Sequence, residues 1–156
     1  MENETWKFFE NKKGRINMLK NIPAIISPGL LKALMEMGHG DEIVIADGNY
    51  PAESAGNKVI RADGLGIPEL LKAILQFFPL DTYADINVIY MDTGNDEIPS
   101  IWNKYQEILK KSKENFNIGK LERFKFYERA SQSYCVVASS EPALYANIIL
   151  KKGVII

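Results

Sequence analysis

The stretch Ser27-Pro-Gly-Leu-Leu-Lys-Ala-Leu-Met-Glu-Met-Gly-His-Gly-Asp-Glu-Ile-Val-Ile-Ala-Asp47 sets a helix directly before a strand. Ser27 offers an N-cap hydroxyl, and Pro28 suits a first turn because that position needs no N–H donor. Leu30, Leu31, Leu34, Met35 and Met37 then recur at helical spacing and form an apolar stripe. Gly38 is the expected stop, since glycine tolerates the left-handed position after a helix. Glu42 to Asp47 is short and rich in β-branched residues, which reads as a buried strand.

Outward from this pair the alternation continues. Gly48 to Pro51 is loop chemistry, and Val59 to Asp63 is a second strand or extended piece. Pro68 opens a helix with Leu70, Leu71, Ile74, Leu75 and Phe78 on its inner face. Ile86 to Met91 reads as a strand. Pro99 to about Glu114 reads as a helix with Trp102, Tyr105, Ile108 and Leu109 inward and its lysines in water. Leu121 to Phe124 reads as extended, Tyr127 to Gln132 as a short helix, and Tyr134 to Ala138 and Ile148 to Leu150 as strands. Strands alternating with helices predict an α/β single domain whose parallel-rich sheet is covered by helices on both faces. That domain spans residues 18–156. Residues 1–17 are a charged N-terminal extension with one apolar cluster, Trp6, Phe8 and Phe9, read as a flexible arm or as anchors docked on a neighbour.

Composition narrows the function classes. A 156-residue chain that is 46% hydrophobic and 25% charged buries a core of its own, which excludes a disordered chain. Lys and Arg number 19 against 20 for Asp and Glu, so the basic excess of a nucleic-acid binder is missing. No apolar run approaches the ~20 residues of a membrane span. One cysteine, Cys135, permits no intrachain disulfide and no Cys-rich zinc site. One histidine, His39, permits no multi-histidine metal centre. With no secretory leader in residues 1–17, the cytoplasm is the expected compartment.

In open α/β sheets ligands gather at the carboxyl ends of strands. Polar clusters fall at such breaks: Gly38 to Asp41 leading to Asp47; Arg61 to Gly64; and Arg123 with Tyr127, Glu128 and Arg129, to which Tyr145 to Asn147 are added. His39 supports two readings: a helix-end histidine favoured by the dipole, or a proton carrier that titrates near neutral pH. Asp47 is either a turn-initiating aspartate or a carboxylate that accepts ligand hydroxyls or orients His39. Arg123 and Arg129 are candidates for pairing with Glu128 or Asp63. Gly64-Leu-Gly66 lacks the rest of a phosphate loop and reads as a turn.

Taken together, five strings resemble the RbsD/FucU family of sugar mutarotases: Met35 to Ile43, Asp47 with Pro51, Arg61 to Gly64, Arg123 to Ala130, and Tyr145 to Val154. The strings at 61–64 and 123–130 are similar to the fucose branch, whereas Ala146 is similar to the ribose branch. The resemblance implies an RbsD-like α/β fold, no metal and no organic cofactor, and a homodecamer whose late residues complete a neighbour's site. It implies His39 as proton donor and Asp47, Arg123, Tyr145 and Asn147 as sugar-binding residues. The expected partners are a monosaccharide, fucose or a related aldose, and further copies of the chain, with no nucleic acid and no membrane. Alternatives are a ribose-type pyranase or a noncatalytic sugar binder of the same fold. One group of near-neutral pKa suffices for such chemistry, since general acid–base catalysis contributes ~10²–10⁴-fold.

Overall fold

The computed structural model describes residues 17–55 and 57–156, so the expectation for Trp6, Phe8 and Phe9 lies outside the described residues. Ten elements follow in order: α1 (Pro28–Glu36), β1 (Glu42–Ala46), β2 (Val59–Ala62), α2 (Ile67–Ile74), β3 (Val88–Met91), α3 (Ser100–Ser112), β4 (Ile118–Leu121), α4 (Arg123–Ser131), β5 (Cys135–Ser139) and β6 (Ile148–Lys151). They build one six-stranded sheet in the order β2-β5-β1-β6-β3-β4. Pairs β2–β5, β5–β1 and β3–β4 are parallel, and β6 runs antiparallel between β1 and β3. The parallel-rich expectation therefore holds, with β6 as the one reversed strand.

Period-two alternation splits the core into two layers. Ile43 and Ile45 of β1 pack with α1, α2 and α3, whereas Val44 and Ala46 pack with Phe126 and Ala130 of α4 and with Tyr50 and Ala52. Helices cover both faces. Central strands are apolar on both sides for this reason, and Ile148, Ile149 and Leu150 are all fully buried. Among the described residues, no helix is long and apolar enough to cross a membrane.

Three local expectations are corrected. First, α1 ends at Met37 with an extended backbone (φ −65°, ψ 133°), and the left-handed glycine of this turn is Gly40 (φ 86°), not Gly38. The buried stripe is Leu30, Ala33, Leu34 and Met37, while Met35 is 80% exposed. Second, β4 lies at 118–121, three residues before the extended piece read at 121–124. Third, α4 begins at Arg123 rather than Tyr127, because the Glu122 carboxylate accepts the N–H groups of Phe124 and Lys125 and caps the helix there. Phe126 and Ala130, four apart, are the face it buries.

Candidate active site: two ends of one strand

Asp47 leaves the carboxyl end of β1, and around it the fold collects residues from three other segments. Its backbone N–H donates to Asn147 Oδ1 at 2.8 Å, just before β6. Its own Oδ1 accepts from the Asn49 N–H at 3.0 Å. Burial pushes the Asp47 carboxyl above the usual range; backbone N–H groups of Asn49, Tyr50 and Ala146 oppose that shift, and the charge of Glu141 adds to it. Asn147 is 3% exposed, and with its oxygen engaged its amide nitrogen meets, among the described residues, only the weak acceptor Met91 Sδ, at 3.9 Å. That nitrogen is a donor well placed for a hydroxyl.

Arg123 opens α4 beside this edge. Its guanidinium lies 5.3 Å from the Phe124 ring and 5.7 Å from the Tyr127 ring. Among the described residues it has no carboxylate partner. Arg129 takes Glu42 in a forked pair instead, with contacts of 3.2, 3.0 and 2.6 Å. Arg61 takes Asp63 at 2.6 Å. The expected pairing of Arg123 with Glu128 or Asp63 is therefore corrected: among the described residues Arg61 and Arg129 are paired with carboxylates and Arg123 is not. A cation at a helix N-terminus opposes the dipole, so local stability does not account for this residue.

Asp47, Arg123, Tyr145 and Asn147 line one cleft of 180 Å³. Tyr50 and Tyr127 form its aromatic wall, edge to face with centroids 5.4 Å apart. Burial pushes the Tyr50 hydroxyl up to about 12, which keeps it neutral. Larger clefts, of 540, 590 and 430 Å³, lie by Glu42 and Arg129, between α2 and α3, and beside Pro99, Ile101 and Tyr145. The smaller cleft is the one that brings Asp47, Arg123, Tyr145 and Asn147 together from separate segments.

His39 is at the other end. It precedes β1 in a tight turn, where the Gly40 N–H donates to the Lys152 carbonyl at 2.8 Å. Its Nε2 lies 3.1 Å from Asp81 Oδ1, and Asp81 also accepts the Tyr83 N–H at 3.0 Å. The Asp81 side chain is 5% exposed and that of His39 45%. Burial alone pushes Asp81 up, but the hydrogen bonds from His39 and the Tyr83 amide, with the charges of His39 and Lys151, hold its pKa below the usual carboxylate value. An ionised Asp81 only accepts, so Nε2 carries the hydrogen and Nδ1 is the nitrogen left for a substrate. The expectation that Asp47 might orient His39 is corrected, since Asp81 does so. The length of β1, about 16 Å at ~3.3 Å per residue, separates His39 from Asp47.

The structure thus unites four of the five expected site residues in one chain and sets the fifth apart. Tyr145 and Asn147 sit with their own chain's Asp47 and Arg123. Sequence reasoning missed Asp81 and Tyr50. The only signal for Asp81 was an acid closing the apolar run Phe77 to Leu80, and for Tyr50 a tyrosine in a loop beside Asp47. Among the described residues, no group of three or more His, Cys, Asp or Glu side chains is arranged to hold a metal ion.

Residues 20–155 match the RbsD / FucU transport protein family. The fucose mutarotase of Bos taurus is 50% identical over 146 residues, covering 88% of this chain and 95% of its own. The fucose mutarotase of Streptococcus pneumoniae, solved in complex with L-fucose, is 53% identical with a TM-score of 0.85, covering 88% of this chain and all of that one. Bacillus subtilis RbsD, solved with D-ribose, shares the fold at 24% identity and a TM-score of 0.66, over 89% of this chain and all of that one. With a match over nearly the whole described chain and relatives at half identity, this protein belongs to the RbsD / FucU family.

Proposed function

We propose that this protein is an L-fucose mutarotase, interconverting the α and β anomers by general acid–base opening and closing of the ring. The observation that carries the reading is the cleft joining Asp47, Arg123, Tyr145 and Asn147 in a chain 53% identical to a fucose mutarotase crystallised with L-fucose. The exchange needs no redox step. A base removes the proton of the anomeric hydroxyl, the C1–O1 bond becomes a carbonyl, and the C1–O5 bond breaks as O5 takes a proton. The open aldehyde turns about C1–C2, and the ring recloses on the other face with both protons returned.

In this reading Arg123 and Asn147 donate to sugar oxygens, Asp47 accepts a hydroxyl, and the tyrosines pack on the apolar CH faces. His39 carries the proton through Nδ1, with Asp81 fixing its tautomer. A transfer needs heavy atoms within ~3 Å, yet a strand's length separates His39 from Asp47. The reading therefore requires His39 from a second copy, set over the Asp47 end of the first. A head-to-tail contact whose rotation closes forms a ring, the kind of assembly that the resemblance implies as a homodecamer. The boundary then falls between His39 and the other four residues. Cys135 is buried, its thiol pushed up to about 12, which makes it a packing residue and not a reactive thiol.

Saturation-transfer NMR on L-fucose and D-ribose tests the function. Faster anomer exchange on L-fucose is expected. A preference for ribose moves the protein to the other branch, and binding without exchange makes it a sugar binder.

A further inference from the structure

Tyr145 holds a backbone conformation that tyrosine rarely adopts, with φ 53°. The other described non-glycine residues of this kind are Asn21 and Lys113. Asparagine tolerates the region, and Lys113 caps the end of α3. Tyr145 has neither excuse, and such a residue persists only where its surroundings over-determine it.

Those surroundings are two aromatic donors of α3. Trp102 Nε1–H donates to the Tyr145 carbonyl at 2.9 Å, and the Tyr105 hydroxyl donates to the Ala146 carbonyl at 2.7 Å. The donors are three residues apart, on one helix face, and both are buried, at 4% and 0% exposure. From the opposite side, the Asp47 backbone N–H donates to Asn147 Oδ1 at 2.8 Å. The segment is therefore held from both sides, the Tyr145 and Ala146 carbonyls by α3 and the Asn147 side chain by the Asp47 backbone.

We propose that Trp102 and Tyr105 are positioning residues of the sugar site: a two-donor clamp on α3 that fixes Tyr145 in its left-handed conformation and presents Tyr145 and Asn147 to the cleft beside Asp47. They touch no sugar, and they lower the ordering cost of binding by holding two sugar contacts in place beforehand. The inference rests on the mutarotase reading for its activity test.

Tyr90 supplies an internal control. Its ring lies 5.0 Å from that of Trp102 and 5.9 Å from that of Tyr105. Its buried hydroxyl has no partner among the described residues. Tyr105→Phe and Tyr90→Phe each remove one buried hydroxyl from the same aromatic cluster, but only the first removes a clamp bond.

The experiment measures half-saturating L-fucose and exchange at saturation in the full chain. Tyr105→Phe is expected to raise half-saturation about five- to tenfold, with saturated exchange within about twofold of wild type. Trp102→Phe, which keeps a ring in the core, is expected to do the same, and Tyr90→Phe to match wild type. Unchanged half-saturation in folded Tyr105→Phe overturns the clamp. An equal loss in Tyr90→Phe also overturns it, by making the effect one of core packing. A crystal structure of the free Trp102→Phe/Tyr105→Phe protein gives a readout without sugar. Tyr145 leaving the left-handed region supports the clamp, and Tyr145 unmoved overturns it. Should wild type lack exchange altogether, the mutarotase reading fails while this structural arm still decides the clamp.

Discussion

Two buried aspartates flank β1 and titrate in opposite directions. Asp47, 7% exposed, has its pKa raised because burial outweighs the backbone N–H groups that it accepts. Asp81, 3% exposed, has its pKa lowered because an imidazole and an amide N–H outweigh burial. Desolvation dominates at Asp47, whereas at Asp81 the hydrogen bonds from His39 and the Tyr83 amide together outweigh it. The difference matches two tasks. The Asp47 end offers unpaired hydrogen-bonding groups to a neutral ligand, while the Asp81 end holds one histidine in one tautomer.

The largest expected effect separates the ends by chemistry. His39→Asn should cut anomer exchange by about 10²-fold or more while sugar affinity largely survives, because the binding groups sit at the other end. Near-normal exchange in a folded His39→Asn protein removes His39 as the proton carrier. Arg123→Ala or Asp47→Ala should do the reverse, weakening fucose binding first, by about 1.5–3 kcal/mol for a lost charged hydrogen bond. Calorimetric titration of both variants beside His39→Asn shows whether affinity and turnover divide between the ends as stated.

Mixing tests whether the two ends meet. Co-assembly of His39→Asn with Arg123→Ala, each impaired alone, should restore exchange at about a quarter of the sites, those that pair an intact His39 with an intact Arg123 from the neighbour. No recovery in mixed oligomers, or a monomer by light scattering, breaks the shared-site reading.

A smaller effect concerns stability against pH. A raised folded pKa stabilises below the unfolded value, near 3.8, and that stabilisation is lost as pH rises through the folded pKa. Asp47 behaves so, and Asp81, with a lowered pKa, behaves oppositely: its stabilisation is present above about 3.8 and is lost as pH falls through the folded pKa. At neutral pH, Asp47→Asn should therefore melt above wild type and Asp81→Asn below it, the two gaps closing toward acid pH. Melting curves from pH 3 to pH 7 check both signs, and gaps of the same sign contradict the contrast. The smallest effect is expected outside both ends: deleting residues 2–17 should leave exchange unchanged, because the family match begins at residue 20. A clear loss of exchange or assembly in that deletion shows instead that Trp6, Phe8 and Phe9 anchor a contact.

Much of the fold was legible because its signals are local. Ser27-Pro28, Pro68 and the apolar stripes mark α1, α2 and α3 through capping and periodicity, which act within a few residues. The start of α4 was not legible as helix, because Glu122 caps through its carboxylate and the buried face is only Phe126 and Ala130. Nor was the reversal of β6 legible, since its all-apolar string is the same whichever way the strand runs. In the site, residue identities carried His39, Asp47, Arg123, Tyr145 and Asn147 by resemblance. What the chain itself could not disclose was grouping. His39 is eight residues from Asp47 in sequence but lies at the far end of an extended strand, whereas Asn147, a hundred residues away, binds the Asp47 backbone. Asp81 joins His39 across forty-two residues, and Trp102 joins Tyr145 across forty-three. The sequence by itself determined which elements form and which chemical groups are present, because those follow from short-range preferences. Only the tertiary structure decided which carboxylate serves the histidine, which arginine stays unpaired and which loop is clamped, because those depend on contacts between segments that sheet order brings together.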